Sequence, residues 1–349
     1  MIRSSLSLVA LCAALTACGG PRPEPDAQSD AAHDPPDAPV DGALGSDATV
    51  EDASDASDGA ALEASSPVYR CVRPNRPTRA DAGATDAGVS DGGACNGAAS
   101  LCDRRYDQVA YTTTHNAFSV DAEGFGAPNQ SRSMRRQLDD GVRAMMLDVY
   151  SNLGRTFLCH GTCALGRRLL ADGLCEITKF LDENPNEVVS IIFESYVPAA
   201  EVERAFVESE LIERVRPQQA GAPWPTLRAM IEADQRVVVF TDRDGGARPW
   251  YLNVWAHAWE TPFSARTPMD LDTCAMNRGD RANPLFIFNH FLTNPLASRE
   301  LAQTVNFNPL LIDRARRCQR ETSAMPNFVT VDYYDIGDAL SATRTLNGL

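Results

Sequence analysis

The sequence predicts an α/β fold, a TIM-like barrel of alternating strands and helices, closed or nearly closed, behind a long disordered N-terminal tether. Three observations carry this. Apolar runs of strand length alternate with helix-like segments from about residue 107 to the end. The stretch 101–349 is about the length of one eight-stranded barrel. Finally, no glycine-rich nucleotide loop follows any of the strands, which disfavours a Rossmann sheet.

The order of elements begins outside the fold. Met1-Ile2-Arg3 followed by the apolar run Leu6 to Ala14 has the form of an export signal, too short to span a membrane. It ends in Leu15-Thr16-Ala17-Cys18-Gly19, which resembles a bacterial lipobox. That resemblance implies cleavage after residue 17, an acylated Cys18, and lipid anchoring at the outer membrane or cell surface, with simple secretion as the alternative. Gly19 in place of aspartate argues against retention at the inner membrane.

Residues 19–66 hold twelve acidic residues against the single Arg22, a net charge of −11, so most of the chain's −15 lies there. Such a segment has too little apolar surface to offset the entropy of folding and reads as an extended tether. The expected organisation is a signal peptide at 1–17, an acidic Ala/Asp/Pro-rich linker at 18–100 and a barrel at 101–349. His33 lies in the linker and receives no role. The barrel carries 26 basic and 32 acidic residues with no evident basic face, so nucleic acid is not an expected partner. A monomer is expected.

With Cys12 removed and Cys18 acylated, eight cysteines remain, an even number in an exported chain, which points to disulfides. Cys159-His160-Gly161-Thr162-Cys163 admits zinc as a competitor, but no second closely spaced pair completes a tetrahedral site. The expected pairs are Cys274 with Cys318, and Cys175 with Cys159 or Cys163.

Within the barrel, Val109 to Thr114, Val142 to Tyr150 and Thr156 to Leu158 read as strands. Leu169 to Leu181 carries a helical stripe stopped by Asn184-Pro185. Glu187 to Glu194 is a buried strand, Ala199 to Ser209 a helix, and Pro225 suits the start of another. Arg236 to Asp242 and Leu285 to His290 are strands, Ser298 to about Arg320 is a long helical region, Asn327 to Tyr334 the last strand and Asp338 to Leu346 the last helix. In a parallel α/β barrel the carboxyl ends of the strands open on one face. The ends here carry His115, Asn116, Asp148, His160, Glu194, Asp242, His290 and Asp332. Two imidazoles can act as base and acid in one displacement, while carboxylates orient them or hold a cation.

Thr114 to Phe118, Gln137-Leu138 with Gly141-Val142-Arg143, Leu147-Asp148-Val149, Cys159-His160-Gly161 and Val188 to Glu194 resemble the X-domain of phosphatidylinositol-specific phospholipase C and related phosphodiesterases. The resemblance implies an incomplete or irregular TIM barrel that cleaves the glycerol-side P–O bond of an inositol phospholipid or glycosylphosphatidylinositol-like substrate. It assigns His115 as general base, His160 as general acid and Asp332 as the group orienting His115. Asn116, Asp148 and Glu194 match calcium ligands of the metal-dependent members, and all three offer the hard oxygens calcium takes.

Two departures qualify this. Met146 stands where those members have a further acid. Metal-free bacterial members have an arginine and a lysine at the positions of Tyr150 and Glu194. Asp242 and His290 are candidates for headgroup contacts, and Trp250, Tyr251, Trp255 and Trp259 for a lipid-facing rim, a pocket floor or core. Two other functions compete: an inactive tethered binding barrel, and a zinc or iron hydrolase using His115, His160 and Asp148, although no H-x-H or H-E-x-x-H pair anchors a metal.

Overall fold

A computed structural model describes residues 71–72 and 93–349. The expected signal peptide, Cys18, His33 and most of the linker lie outside the described residues. The folded part begins before Leu101: a short disulfide loop, Cys95–Cys102, encloses the helical turn Ala99–Leu101.

The strands in chain order are β1 (Tyr111–Thr114), β2 (Ala144–Asn152), β3 (Arg155–Leu158), β4 (Arg168–Leu169), β5 (Val189–Ser195), β6 (Val237–Thr241), β7 (Tyr251–Asn253), β8 (Ala258–Glu260), β9 (Arg278–Gly279), β10 (Leu285–Asn289) and β11 (Phe328–Val331). They form one curled sheet in the order β7-β6-β5-β2-β1-β11-β10-β8-β9. Each neighbouring pair from β7 through to β8 is parallel, and the order is circular in sequence. Among the described residues no ladder joins β7 to β8, so the barrel is irregular and open at one seam, as expected.

The helices are α1 (Met134–Asp140), α2 (Leu170–Glu183), α3 (Ala199–Glu208), α4 (Leu227–Glu232), α5 (Pro268–Leu271), α6 (Arg299–Val305), α7 (Leu310–Thr322) and α8 (Ala339–Leu346). Helix α1 starts where Ser133 Oγ accepts from the Arg136 N–H and ends at Gly141, whose φ of 111° few other residues adopt. Thr226, rather than Pro225, caps α4, its hydroxyl accepting from the Ala229 N–H. The long region expected from Ser298 is two helices, because Asn306 to Pro309 interrupt it and proline has no N–H to continue the ladder. The apolar stripe of α2, with Leu174, Ile177, Phe180 and Leu181 buried, packs on the same core as Leu147, Val149, Ile191 and Phe193.

The main departure is the path to His160. Thr156 to Leu158 is not another parallel strand: β3 turns back antiparallel on the outer half of β2, pairing Asn152 with Arg155. The two residues between them, Leu153 at φ 50° and Gly154 at φ 71°, form the two-residue hairpin turn whose twist suits adjoining strands. His160 therefore returns to the level of Asp148, where the Cys159 N–H donates to the Asp148 carbonyl.

The cysteines pair as Cys71–Cys175, Cys95–Cys102, Cys159–Cys163 and Cys274–Cys318. The last is as expected. Cys175 bonds to neither Cys159 nor Cys163, because the tight loop after β3 brings those two within 4.9 Å (Cα–Cα), while Cys175 on α2 meets Cys71. Cys274–Cys318 closes a loop of 44 residues. Replacing both cysteines with serine is expected to cost about 2–4 kcal/mol, read as a lower urea midpoint than the parent, and reductant should then have a smaller effect on the variant.

Candidate active site

Period-two alternation decides which side chains reach the barrel interior. On β2, Met146 and Asp148 face inward, and on the paired β5, Ile192 and Glu194 do the same, with Asp148 directly opposite Glu194. One step further along both strands, the rings of Tyr150 and Tyr196 stack at 4.4 Å. The Tyr196 hydroxyl donates to Glu194. His115, Asp148, Glu194, Asp242, Trp255, Glu260, Phe263, Arg278, Asn289 and Phe291 share one cavity of about 90 Å³ at the carboxyl ends of the strands.

His115 follows β1, its N–H donating to the Val331 carbonyl. Its Nδ1 lies 3.0 Å from Asp332 Oδ1, and Phe291 stacks on the ring at 4.2 Å. Asp332 is buried, and its Oδ1 also accepts from Asn129 Nδ2 at 2.9 Å. With Nδ1–H donated to Asp332, Nε2 is the unprotonated ring nitrogen, the one able to accept a proton. Gln130 ties the same corner together, donating to the carbonyls of His115 and Val331.

His160 sits in the loop closed by Cys159–Cys163, and its Nδ1 donates to the Ala127 carbonyl at 3.0 Å. Residues 127–129 thus hold both imidazoles, one through Ala127 and the other through Asn129. His160 is not among the residues lining the cavity, but is near enough for the charge on His115 to act on it. Burial pushes the His160 pKa down, and the charge on His115 adds to this, against the Ala127 bond. For His115, burial acts downward but is outweighed by Asp332, Asp148 and Glu194, so its pKa is raised. The Asp148 carboxyl is pushed up to about 8 by burial and then by Glu194 and Asp242, with His115 opposing.

Asn116 takes a left-handed φ of 45°, which asparagine tolerates better than most residues, and this turns its amide toward Asp148. With the amide nitrogen on that side, it donates to Asp148 Oδ1 at 3.1 Å and Oδ2 at 3.2 Å. With the oxygen on that side, acceptors face acceptors, an arrangement a hard cation would satisfy, and Nδ2 lies 3.3 Å from His115 Nε2. The donor chemistry of Asn116 and Asp148 therefore fits calcium. Glu194 is on the adjacent strand but engaged by Tyr196. Among the described residues, no three His, Cys, Asp or Glu side chains gather as a metal cluster.

Asp242 reaches the cavity, its Oδ1 accepting from the Ser195 N–H. His290 does not. Ile287 and Asn289 point into the cavity, so His290 faces outward, fully buried against α6 and α7, where its Nε2 donates to the Val305 carbonyl and its Nδ1 accepts from Arg314. The expectation of a headgroup role for His290 is corrected by this strand parity. The tryptophans divide: Trp250 and Trp259 are core, and Trp255 lines the cavity. Asn129, Phe291, Glu260 and Arg278 escaped the sequence reading. Glu260 alone carried a signal, since it ends an apolar strand just as Asp242 follows one.

The class of protein is an irregular TIM-like α/β barrel with two fixed imidazoles and inward carboxylates at its strand ends. The chain belongs to the PI-PLC X-domain family: a family model, PI-PLC X 1, matches residues 101–347. A PI-PLC X domain-containing protein 1 of Arthroderma benhamiae is 28% identical over 279 residues, covering 72% of this chain and 89% of that protein. An uncharacterized secreted protein of the same fungus is 29% identical over 267 residues, covering 69% of this chain but 60% of its own length. Among solved structures, a phosphatidylinositol-specific phospholipase C from Staphylococcus aureus superposes with a TM-score of 0.50 at 13% identity, covering 70% of this chain and 94% of that one. That similarity concerns the fold alone.

Proposed function

We propose that this chain is an exported phosphodiesterase of phospholipase C type, acting on a phosphatidylinositol-like or glycosylphosphatidylinositol-like lipid. The observation that carries the reading is the Asp332–His115 pair, which leaves Nε2 of a partly buried imidazole unprotonated in the lining of the cavity. In this reading His115 Nε2 takes the proton of the inositol 2-hydroxyl as that oxygen bonds to phosphorus. The bond from phosphorus to the glycerol oxygen breaks, and His160 Nε2 gives that oxygen a proton. The products are diacylglycerol and a cyclic phosphodiester, which a second water-dependent step can open. Asp332 and Ala127 hold the two rings by their Nδ1 atoms.

Asn116, Asp148 and Glu194 are the residues proposed to hold calcium. A bound divalent cation would offset most of the charge of the two carboxylates and the phosphate and lower the pKa of the attacking hydroxyl. Asp332 first, then Asp148 and Glu194, raise His115, the reverse of what a base requires, so neutralising Asp148 and Glu194 favours the role assigned to His115. Four disulfides suit an oxidising compartment, and the secreted name of one relative agrees with export. Acylation of Cys18 and a monomeric state complete the reading.

The test is release of diacylglycerol and cyclic inositol phosphate from phosphatidylinositol in mixed micelles, followed by phosphorus NMR. Chelation with EGTA is expected to reduce turnover at least about tenfold, with calcium restoring it. Full turnover in excess EGTA, with no metal found by elemental analysis, removes calcium from the mechanism. Stimulation by zinc instead would favour the hydrolase alternative.

A further inference from the structure

Across the cavity from Asp148 and Glu194 lies an arginine that none of the proposed chemistry uses. Arg278 opens β9, which pairs antiparallel with β8 so that Arg278 stands opposite Glu260. The close approach needs the glycine that follows: at Gly279, φ is +86°, and a Cβ would sit 2.3 Å from the Ala258 carbonyl oxygen and 2.7 Å from Trp259 Cα. Arg278 Nε donates to Glu260 Oε1 at 2.5 Å, and its guanidinium lies over Trp255 at 4.5 Å and Phe263 at 4.6 Å.

Glu260 has two further donors. Asn277 Nδ2 donates to its Oε1 and Asn289 Nδ2 to its Oε2, both at 3.0 Å. The carboxylate is buried, whereas the Arg278 side chain is 44% exposed and lines the cavity. Both Nη atoms of Arg278 have no hydrogen-bond acceptor among the described residues. The guanidinium is therefore clamped at one edge and on its faces, with a two-donor edge left free. Among the described residues lining the cavity it is the sole guanidinium, facing Asp148, Glu194 and Asp242, which would repel a phosphorylated ligand. A planar fork with an open edge is suited to phosphoryl oxygens.

We propose that Arg278, oriented by Glu260 and the Trp255–Phe263 pair, binds a phosphoryl group of the ligand in this cavity. The inference rests on the phosphodiesterase reading for the identity of that ligand. The phosphoryl group is either the one being cleaved or a second one on the headgroup, and the two are separable. The chain's own Tyr150 leaves the β2 wall without a cation, so the positive charge comes from the opposite wall.

The experiment titrates the full chain and its Arg278→Ala and Arg278→Lys variants with myo-inositol 1-phosphate and with neutral myo-inositol by calorimetry. It then compares turnover of phosphatidylinositol with that of its 4-phosphate. For a scissile-phosphate role, Arg278→Ala is expected to weaken inositol 1-phosphate binding about 10- to 100-fold, to leave neutral inositol binding unchanged and to act mainly on KM, with Arg278→Lys keeping a cation beside the buried Glu260 as the control for fold. Lysine should recover part of the loss, having the charge without the fork. An equal rise in KM for both lipids assigns the scissile phosphate; a rise confined to the 4-phosphate assigns a second phosphoryl group. Unchanged inositol phosphate binding together with an unchanged KM for both lipids in Arg278→Ala overturns the inference, as does an equal loss of neutral inositol binding. Arg278-dependent binding without turnover of any phospholipid would sink the phosphodiesterase reading and leave this inference standing.

Discussion

Replacing His115 with alanine is expected to lower kcat/KM for phosphatidylinositol about a thousandfold, with little change in KM. The base acts on a hydroxyl that is a poor nucleophile when protonated, and such proton transfers contribute about 10²- to 10⁴-fold. Asp332 sharpens the expectation, because it fixes the tautomer that presents Nε2 and stabilises the imidazolium formed as the proton arrives. His160→Ala should behave differently. Its proton goes to the leaving oxygen, so its loss should be large for a lipid, whose glycerol oxygen leaves badly, and small for a nitrophenyl phosphodiester, whose leaving group needs no proton. His115→Ala should impair both substrates alike. The unfolding midpoints of the two variants control for loss of fold. Undiminished turnover in His115→Ala would remove the proposed mechanism, and a parent with no turnover of either substrate would favour a tethered binding barrel.

The barrel was legible because its strands are short apolar runs punctuated by polar residues, and the fold uses them near the expected boundaries. Val237–Thr241 and Leu285–Asn289 lie within one residue of the runs that predicted them, and Phe328–Val331 begins one residue later and ends three earlier than its run. Direction was not legible. Thr156 to Leu158 looks like any other strand, and only the turn before it reverses the chain. A leucine beside Gly154 in that turn is an unusual occupant of a positive-φ position and gave no warning. Strand β9, at two residues, is too short for any periodicity, so Arg278 had no visible address. Asn129 lies in a loop whose role depends on contacts with Asp332, 203 positions away. The acids and histidines at strand ends were found as a set, but a set does not say which members face inward. On β10 the alternation was there to read, with Ile287 and Asn289 on one parity and His290 on the other.

His290, though outside the cavity, carries a large expected effect on stability in acid. Its pKa is pushed down to about 3 by burial first and by Arg314 second, with the Val305 bond opposing. Arg314, on α7, donates through Nη1 to His290 Nδ1 at 3.1 Å and to the Asn289 carbonyl at 2.8 Å, and through Nη2 to the Thr273 carbonyl at 3.0 Å. A protonated His290 would lose its acceptor nitrogen and place a second positive charge against the guanidinium. In the unfolded chain the imidazole takes its proton near pH 6.5, and in the fold only near 3. Between those values the unfolded state binds the proton and the folded state does not. The contribution is therefore fully present above about pH 6.5 and is lost as pH falls toward 3, by about 1.4 kcal/mol per pH unit. His290→Gln keeps a neutral donor for Val305 and an acceptor for Arg314 while removing the titration. Urea unfolding of parent and variant at pH 7, 5 and 4 should show a shallower acid loss in the variant, the gap at pH 4 reaching about 3 kcal/mol relative to pH 7. Other titrating groups act equally in both proteins, so parallel acid slopes would mean that His290 takes up its proton within the fold, and that the Arg314 contact does not keep it neutral.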